Sequence, residues 1–174
     1  MVSYTCRKSF PASECVKQGN HRRGIFMDKL DKEILKILSQ NGRTSFKQIS
    51  EAVGLTSPAV KTRIEKMEKD NIIKGYSVNL DNKAVGFMVT AFISVAVETA
   101  SRDEFYSYVQ SCPNVIECHG ITGQYFALLK VLFKSTMDLD NFLNKIQKFG
   151  ETSTNIVLST YKEPHNINLM DEEI

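Results

Sequence analysis

The sequence predicts an α+β chain in two parts, an N-terminal winged helix-turn-helix followed by a ferredoxin-like βαββαβ domain. Three observations carry this reading. Residues 30–67 hold three short apolar periods at helical spacing, separated by breaks. Residues 72–80 then alternate apolar and polar side chains around Gly75. From 89 to 158, runs of β-branched and aromatic residues alternate with two helical periods, in the order strand, helix, strand, strand, helix, strand.

The first helix is expected over 30–40, where Leu30, Ile34, Ile37 and Leu38 share one face. The second covers 46–53, with Ile49, Ala52 and Val53 on one side. Gly54 ends it, because a glycine takes the left-handed conformation without a Cβ penalty. Thr56 or Ser57 can cap the third helix, and Pro58 falls in its first turn, where a missing N–H costs nothing. Val60, Ile64 and Met67 form the buried side of that helix, while Ser57, Lys61, Thr62 and Lys66 form the other, with Arg63 at the border. Those side chains can donate to phosphates or base edges. A solvated Lys/Glu helix is the commoner meaning of such a face, and Glu65 and Glu68 dilute its charge. The alternating segment 72–80 weighs the other way, since a strand or small wing directly after the third helix completes a DNA-reading unit.

In the second part, 89–97 reads as a strand, 103–110 as a helix, 115–121 and 125–133 as strands around Thr122-Gly123-Gln124, 139–149 as a helix and 152–158 as the last strand. Such a sheet carries helices on one face only. Phe92, Ser94 and Ala96 alternate with Ala91, Ile93 and Val95, so both faces of the first strand are largely apolar, which favours cover by a second copy.

Charge follows the same division. Residues 27–83 carry eleven Lys/Arg against eight Asp/Glu, and 84–174 carry six against eleven, so a basic part precedes an acidic one. No apolar run approaches the ~20 residues that span a bilayer, which speaks against a membrane partner. Residues 1–26 hold five basic residues and one acid without an apolar period, and read as a disordered basic extension or as sequence upstream of a start at Met27. Residues 163–174 form an acidic tail. Cys6, Cys15, Cys112 and Cys118 show no metal-ligand spacing, and His21, His119 and His165 lie far apart, so no metal, cofactor or catalytic group is expected. A cytoplasmic protein with reduced thiols is the expectation.

Between 27 and 161 the chain resembles the Lrp/AsnC, or feast/famine, transcriptional regulators. The matching pieces are Leu30-Asp31-Lys32-Glu33-Ile34-Leu35, Gly42-Arg43-Thr44-Ser45, Gly54-Leu55-Thr56 with Val60 and Arg63-Ile64, Ile73-Lys74-Gly75-Tyr76, Val115-Ile116-Glu117, Thr122-Gly123 and Thr152-Ser153-Thr154. The resemblance implies a DNA-binding domain over 27–75, a linker strand and hinge over 76–87, and a ligand-sensing and oligomerisation domain over 88–162. It also implies homodimers that assemble to octamers on double-stranded DNA, with an amino acid or other small molecule bound between dimers. On it, Ser57, Pro58, Lys61 and Thr62 are expected in the major groove and Arg43, Ser45, Arg63 and Lys66 on phosphates. The effector is expected at Thr122, Gly123, Gln124, Tyr125 and Phe126, with Thr154. Family members usually carry an Asp where Phe126 stands, and a phenylalanine offers no countercharge to an ammonium group. Two other readings share the architecture: a DNA-organising scaffold without effector, and a sirohaem-decarboxylase-like enzyme in which His119 faces the tetrapyrrole.

Overall fold

Helix boundaries in the first part are set by side chains that satisfy free backbone N–H groups. In the computed structural model, which describes residues 27–162, Asp28 accepts from the Asp31 amide and Asp31 from the Asp28 amide, a reciprocal box that opens α1 (Lys29–Gln40). Ser45 and Gln48 do the same for α2 (Phe46–Val53). Gly54 closes α2 at φ 69°, and Thr56 caps α3 (Ser57–Lys69), with Pro58 in its first turn. Ile34, Ile49, Val60, Ile64 and Met67 converge from the three helices into one buried cluster. Ile34, Ile49 and Val60 are fully buried, so truncating Ile34 or Ile49 to alanine should cost about 2–5 kcal/mol.

The strand or wing expected at 72–80 is not formed as a hydrogen-bonded ladder. After a turn closed by the Ile72 and Ile73 amides on the Met67 carbonyl, the backbone runs on without a paired strand among the described residues. Alternation alone makes a segment able to pair; a ladder needs a neighbour. Tyr76 ties this segment back to the helices, its hydroxyl donating to Glu68 Oε1 at 3.0 Å. The division between compact units therefore falls at Asn79 and Leu80, inside the stretch read as a linker.

The second unit, Leu80–Tyr161 with its core from 89 onward, is a four-stranded antiparallel sheet of β1 (Val89–Val95), β2 (Val115–Gly120), β3 (Ala127–Phe133) and β4 (Thr152–Ile156) in the order β2-β3-β1-β4. The helices α4 (Arg102–Ser111) and α5 (Thr136–Ile146) complete the βαββαβ order. Every second residue of β1, namely Val89, Ala91, Ile93 and Val95, is buried, and in β3 Ala127, Leu129, Val131 and Phe133 join them. Phe105, Val109, Leu139, Phe142 and Ile146 belong to the same cluster, which makes this the helix-covered side of the sheet. The opposite side is less apolar than the first strand suggested. Phe92 faces Lys130 in register, and Lys130 is paired with Glu117 at 2.9 Å.

The strands are shorter than the sequence runs, their ladders giving way to single backbone hydrogen bonds at the ends. The basic extension, the acidic tail, Cys6, Cys15, His21 and His165 lie outside the described residues.

Candidate nucleic-acid interface and ligand loop

On α3 the residues exposed to solvent form one continuous face: Pro58, Lys61, Thr62, Glu65, Lys66 and Lys69, with Glu68 at its edge on the Lys61 side. A helix places positions three and four apart side by side, so burying Val60, Ile64 and Met67 turns these residues outward together. Lys61 lies 3.7 Å from Glu65, with both side chains more than half exposed, a pair too solvated to hold the lysine against a phosphate. Lys66 makes no ion pair among the described residues. Thr62 Oγ1 donates to the Pro58 carbonyl at 3.0 Å, which leaves its lone pairs facing out. Arg43 is exposed, and its backbone N–H donates to Asn41 Oδ1 at 3.0 Å.

Three residues expected on DNA have structural partners. Ser57 Oγ lies 3.1 Å from Ser50 Oγ, joining the start of α3 to α2. Ser45 holds the cap of α2 through its hydroxyl and amide. Arg63 departs furthest from expectation. Its Nη1 donates to Asp31 Oδ1 at 2.6 Å and to Asp28 Oδ2 at 2.7 Å, bracing α3 against the first turn of α1. A guanidinium edge engaged by two carboxylates is electrostatically satisfied before any phosphate arrives. The sequence hid this because Asp28 and Asp31 announce a helix cap, and nothing local links them to a residue more than thirty positions away.

The same brace carries a pH signature. Its backbone bond to the Asp31 amide, then Arg63, hold the Asp28 carboxyl below its ordinary value of 3.8. A folded-state pKa that is depressed gives stability present above the unfolded value and lost as pH falls through the folded one. The helical unit should therefore hold its melting temperature down to about pH 4 and lose it below, and Asp28→Asn should flatten that acid limb. Circular dichroism melts of both proteins between pH 2 and pH 6 would check this.

In the sheet unit the connection between β2 and β3 is closed at its base by the Ile121 amide on the Phe126 carbonyl at 3.0 Å. The Phe126 amide in turn donates to the Val95 carbonyl at 2.9 Å, fixing the loop to the end of β1. Thr122, Gly123 and Gln124 are exposed at the tip, and Gly123 turns there at φ 109° with open space where a Cβ would stand. Tyr125 and Phe126 are half-buried. The Phe126 ring meets Tyr106 edge-on at 6.0 Å, and the Arg102 guanidinium carbon lies 3.9 Å from its centroid. Thr154 pairs with Ile93, across β1 from the loop and further into the sheet than Thr152, which pairs with Val95. No local pattern in the sequence points to Arg102, which reaches Phe126 from another element.

His119 is exposed, with Nε2 3.1 Å from Glu117 Oε2. Lys130 and then His119 hold the Glu117 carboxyl below its ordinary value, so the histidine belongs to a surface charge cluster. Among the described residues no group of three or more His, Cys, Asp or Glu is placed to hold a metal ion, and no helix is long and apolar enough to cross a membrane.

Comparison with known proteins places both units. Residues 27–74 match the family model described as winged helix-turn-helix DNA-binding, and 90–167 match the Lrp/AsnC ligand binding domain. Curated relatives include the HTH-type transcriptional regulator LrpB of Bacillus subtilis, 33% identical over 84% of this chain and 99% of its own. The HTH-type transcriptional regulator FL11 of Pyrococcus horikoshii is 34% identical over 79% of this chain and 93% of its own. Among solved structures, Escherichia coli AsnC superposes with a TM-score of 0.75 at 30% identity, covering 82% of this chain and 99% of that one. A Neisseria meningitidis transcriptional regulator in complex with L-Met superposes at 0.75 and 27% identity, covering 79% and 94%.

Proposed function

The chain belongs to the Lrp/AsnC family and is a DNA-binding transcriptional regulator of that type, and we propose that it reads DNA through the outward face of α3 and senses a small molecule at the loop 122–126. The observation that carries the first half is that face itself, where Lys61, Thr62 and Lys66 stand exposed with no stronger partner than a solvated ion pair. Lys61, Thr62 and Pro58 enter the major groove, while Lys66 and Arg43 meet phosphates. Ser57 and Ser45 hold the reading helix and its neighbour in place, and reach DNA only where their hydroxyls retain a free lone pair. Arg63 serves the scaffold.

The protein works as a homodimer on a pseudo-palindromic site, because two copies of one reading helix present the same residues in opposed half-sites. The exposed Tyr76, Val78 and Leu80, alternating along an unpaired segment, and the open face of the sheet are the surfaces where a second copy gains most; assembly to octamers would use further surfaces of the same domains. Its domains are then 27–75 for DNA, 76–87 as hinge and 88–162 for ligand and assembly, and it acts in the cytoplasm, where its DNA is. The L-Met complex of the Neisseria relative supports a small-molecule effector for this domain.

Lys61→Ala/Lys66→Ala is the test of the face. The double variant should bind all sequences more weakly, and the slope of log affinity against log salt should become shallower by about 0.9 for each phosphate no longer neutralised. Anisotropy titrations between 50 and 200 mM salt would show it. Unchanged affinity and slope would discard α3 as the DNA surface.

A further inference from the structure

The loop between β2 and β3 carries its charge the opposite way from what an α-amino acid requires. From Ile121 to Phe126 it contains no carboxylate. Thr122 and Gln124 offer an ammonium group only neutral acceptors. The charged side chain that packs on the loop is Arg102, its guanidinium carbon 3.9 Å from the Phe126 centroid.

Arg102 is also a cation short of partners. It forms no ion pair with any carboxylate among the described residues, and its Nε is buried without a hydrogen-bond acceptor. A buried charged donor left unsatisfied is costly, and native structures rarely keep one without a reason. Its position adds to the cost. Arg102 lies at the start of α4, directly after a 3-10 turn over Thr99–Ser101, where the helix dipole presents positive charge, and Ser101 makes no side-chain cap bond. Asp103 and Glu104 in the same turn offset part of that charge, but Glu104 is engaged by Lys148 at 3.0 Å.

A planar guanidinium stacked on an aromatic ring keeps its N–H groups in the plane parallel to the ring, which suits two-pronged capture of a carboxylate. An ammonium group brought to the same place would face a cation and no countercharge. We infer that the ligand of this loop is a carboxylate that lacks the α-ammonium group, the 2-oxo counterpart of an amino acid, bound by Arg102 against Phe126. This rests on the reading of 122–126 as the ligand loop and changes the chemistry of what it takes.

Matched pairs test it: phenylpyruvate against phenylalanine, 2-oxoisovalerate against valine, and pyruvate against alanine, each titrated calorimetrically into the full chain. The members of a pair share a carboxylate and a side chain and differ at the α-carbon. The oxo acid of at least one pair should bind about tenfold or more tightly than its amino acid, and Arg102→Gln should remove that preference. Phe126→Asp, which supplies a carboxylate, should reverse it. Thermal melts of both variants without ligand check that the sheet unit still folds. Tighter binding of the amino acids to the native chain, in a way that changes at Thr122 or Gln124 abolish, would overturn the inference and leave the ligand loop standing. Binding of oxo acids that Arg102→Gln leaves unchanged would overturn both, as would no binding by any member of the panel. Inorganic phosphate binding as tightly as the best oxo acid would overturn the carboxylate assignment.

Discussion

Gly150→Ala should destabilise the sheet unit by about 3–5 kcal/mol, the size expected when a substitution forces two backbone segments apart. Gly150 follows the last turn before β4 and holds φ 147° and ψ −177°, a conformation that side-chain-bearing residues rarely adopt. A Cβ there would lie 2.0 Å from the Ala96 carbonyl oxygen and 2.9 Å from its carbon. That neighbour is backbone and has little room to yield. The Ala96 amide donates to the Glu151 carbonyl at 2.9 Å, and Val95 pairs with Thr152 one step further along. Relieving the clash means opening the junction of β1 and β4 next to the buried Phe149. Gly123→Ala makes the informative contrast, because Gly123 also has a positive φ but meets nothing within 4 Å. It should cost only the conformational strain, about 1 kcal/mol. Urea unfolding of the two variants would separate close backbone approach from torsional preference, and equal losses would show that the clash with Ala96 is relieved without cost.

The sequence reading succeeded where the determining interaction is local. The residues 46–53 gave the second helix to the residue, and Gly54 and Thr56 ended and began their helices as expected, because a cap acts over three or four positions. The sheet order needed only the alternation of strands and helices, since few topologies suit that order. Partners distant in sequence were not legible. Nothing near Arg63 distinguishes a phosphate-binding arginine from one braced by Asp28 and Asp31, and both roles place it at the edge of the buried face. The segment 72–80 has the composition of a strand, yet pairing depends on a neighbour that no local window contains. At the loop 122–126, Phe126 was recognisable as an unusual residue, but the cation lying on it enters from α4.

Asp31→Ala decides between the two roles that Arg63 can hold, because they predict opposite changes on DNA. Asp31 is only 8% exposed, and its carboxylate both takes Arg63 Nη1 at 2.6 Å and accepts from the Asp28 amide at the start of α1. Removing it deletes a negative charge from the flank of α3 and frees one edge of the guanidinium. If Arg63 were a phosphate ligand restrained by Asp31, binding would tighten and its salt dependence would steepen by about 0.9 for the additional phosphate neutralised. If Arg63 is a brace, the helical unit loses hydrogen bonds to a charged group, about 1.5–3 kcal/mol, and α3 loses part of its hold on α1. DNA affinity should then fall while the salt slope stays as it was, since the number of phosphates neutralised is the same. The geometry favours the brace. Two carboxylates converge on a single nitrogen, and each is also one half of the helix cap, so the ionic bridge and the cap support each other. A lower urea midpoint, weaker binding and an unchanged slope are the expected set, and a steeper slope with tighter binding would return Arg63 to the DNA face.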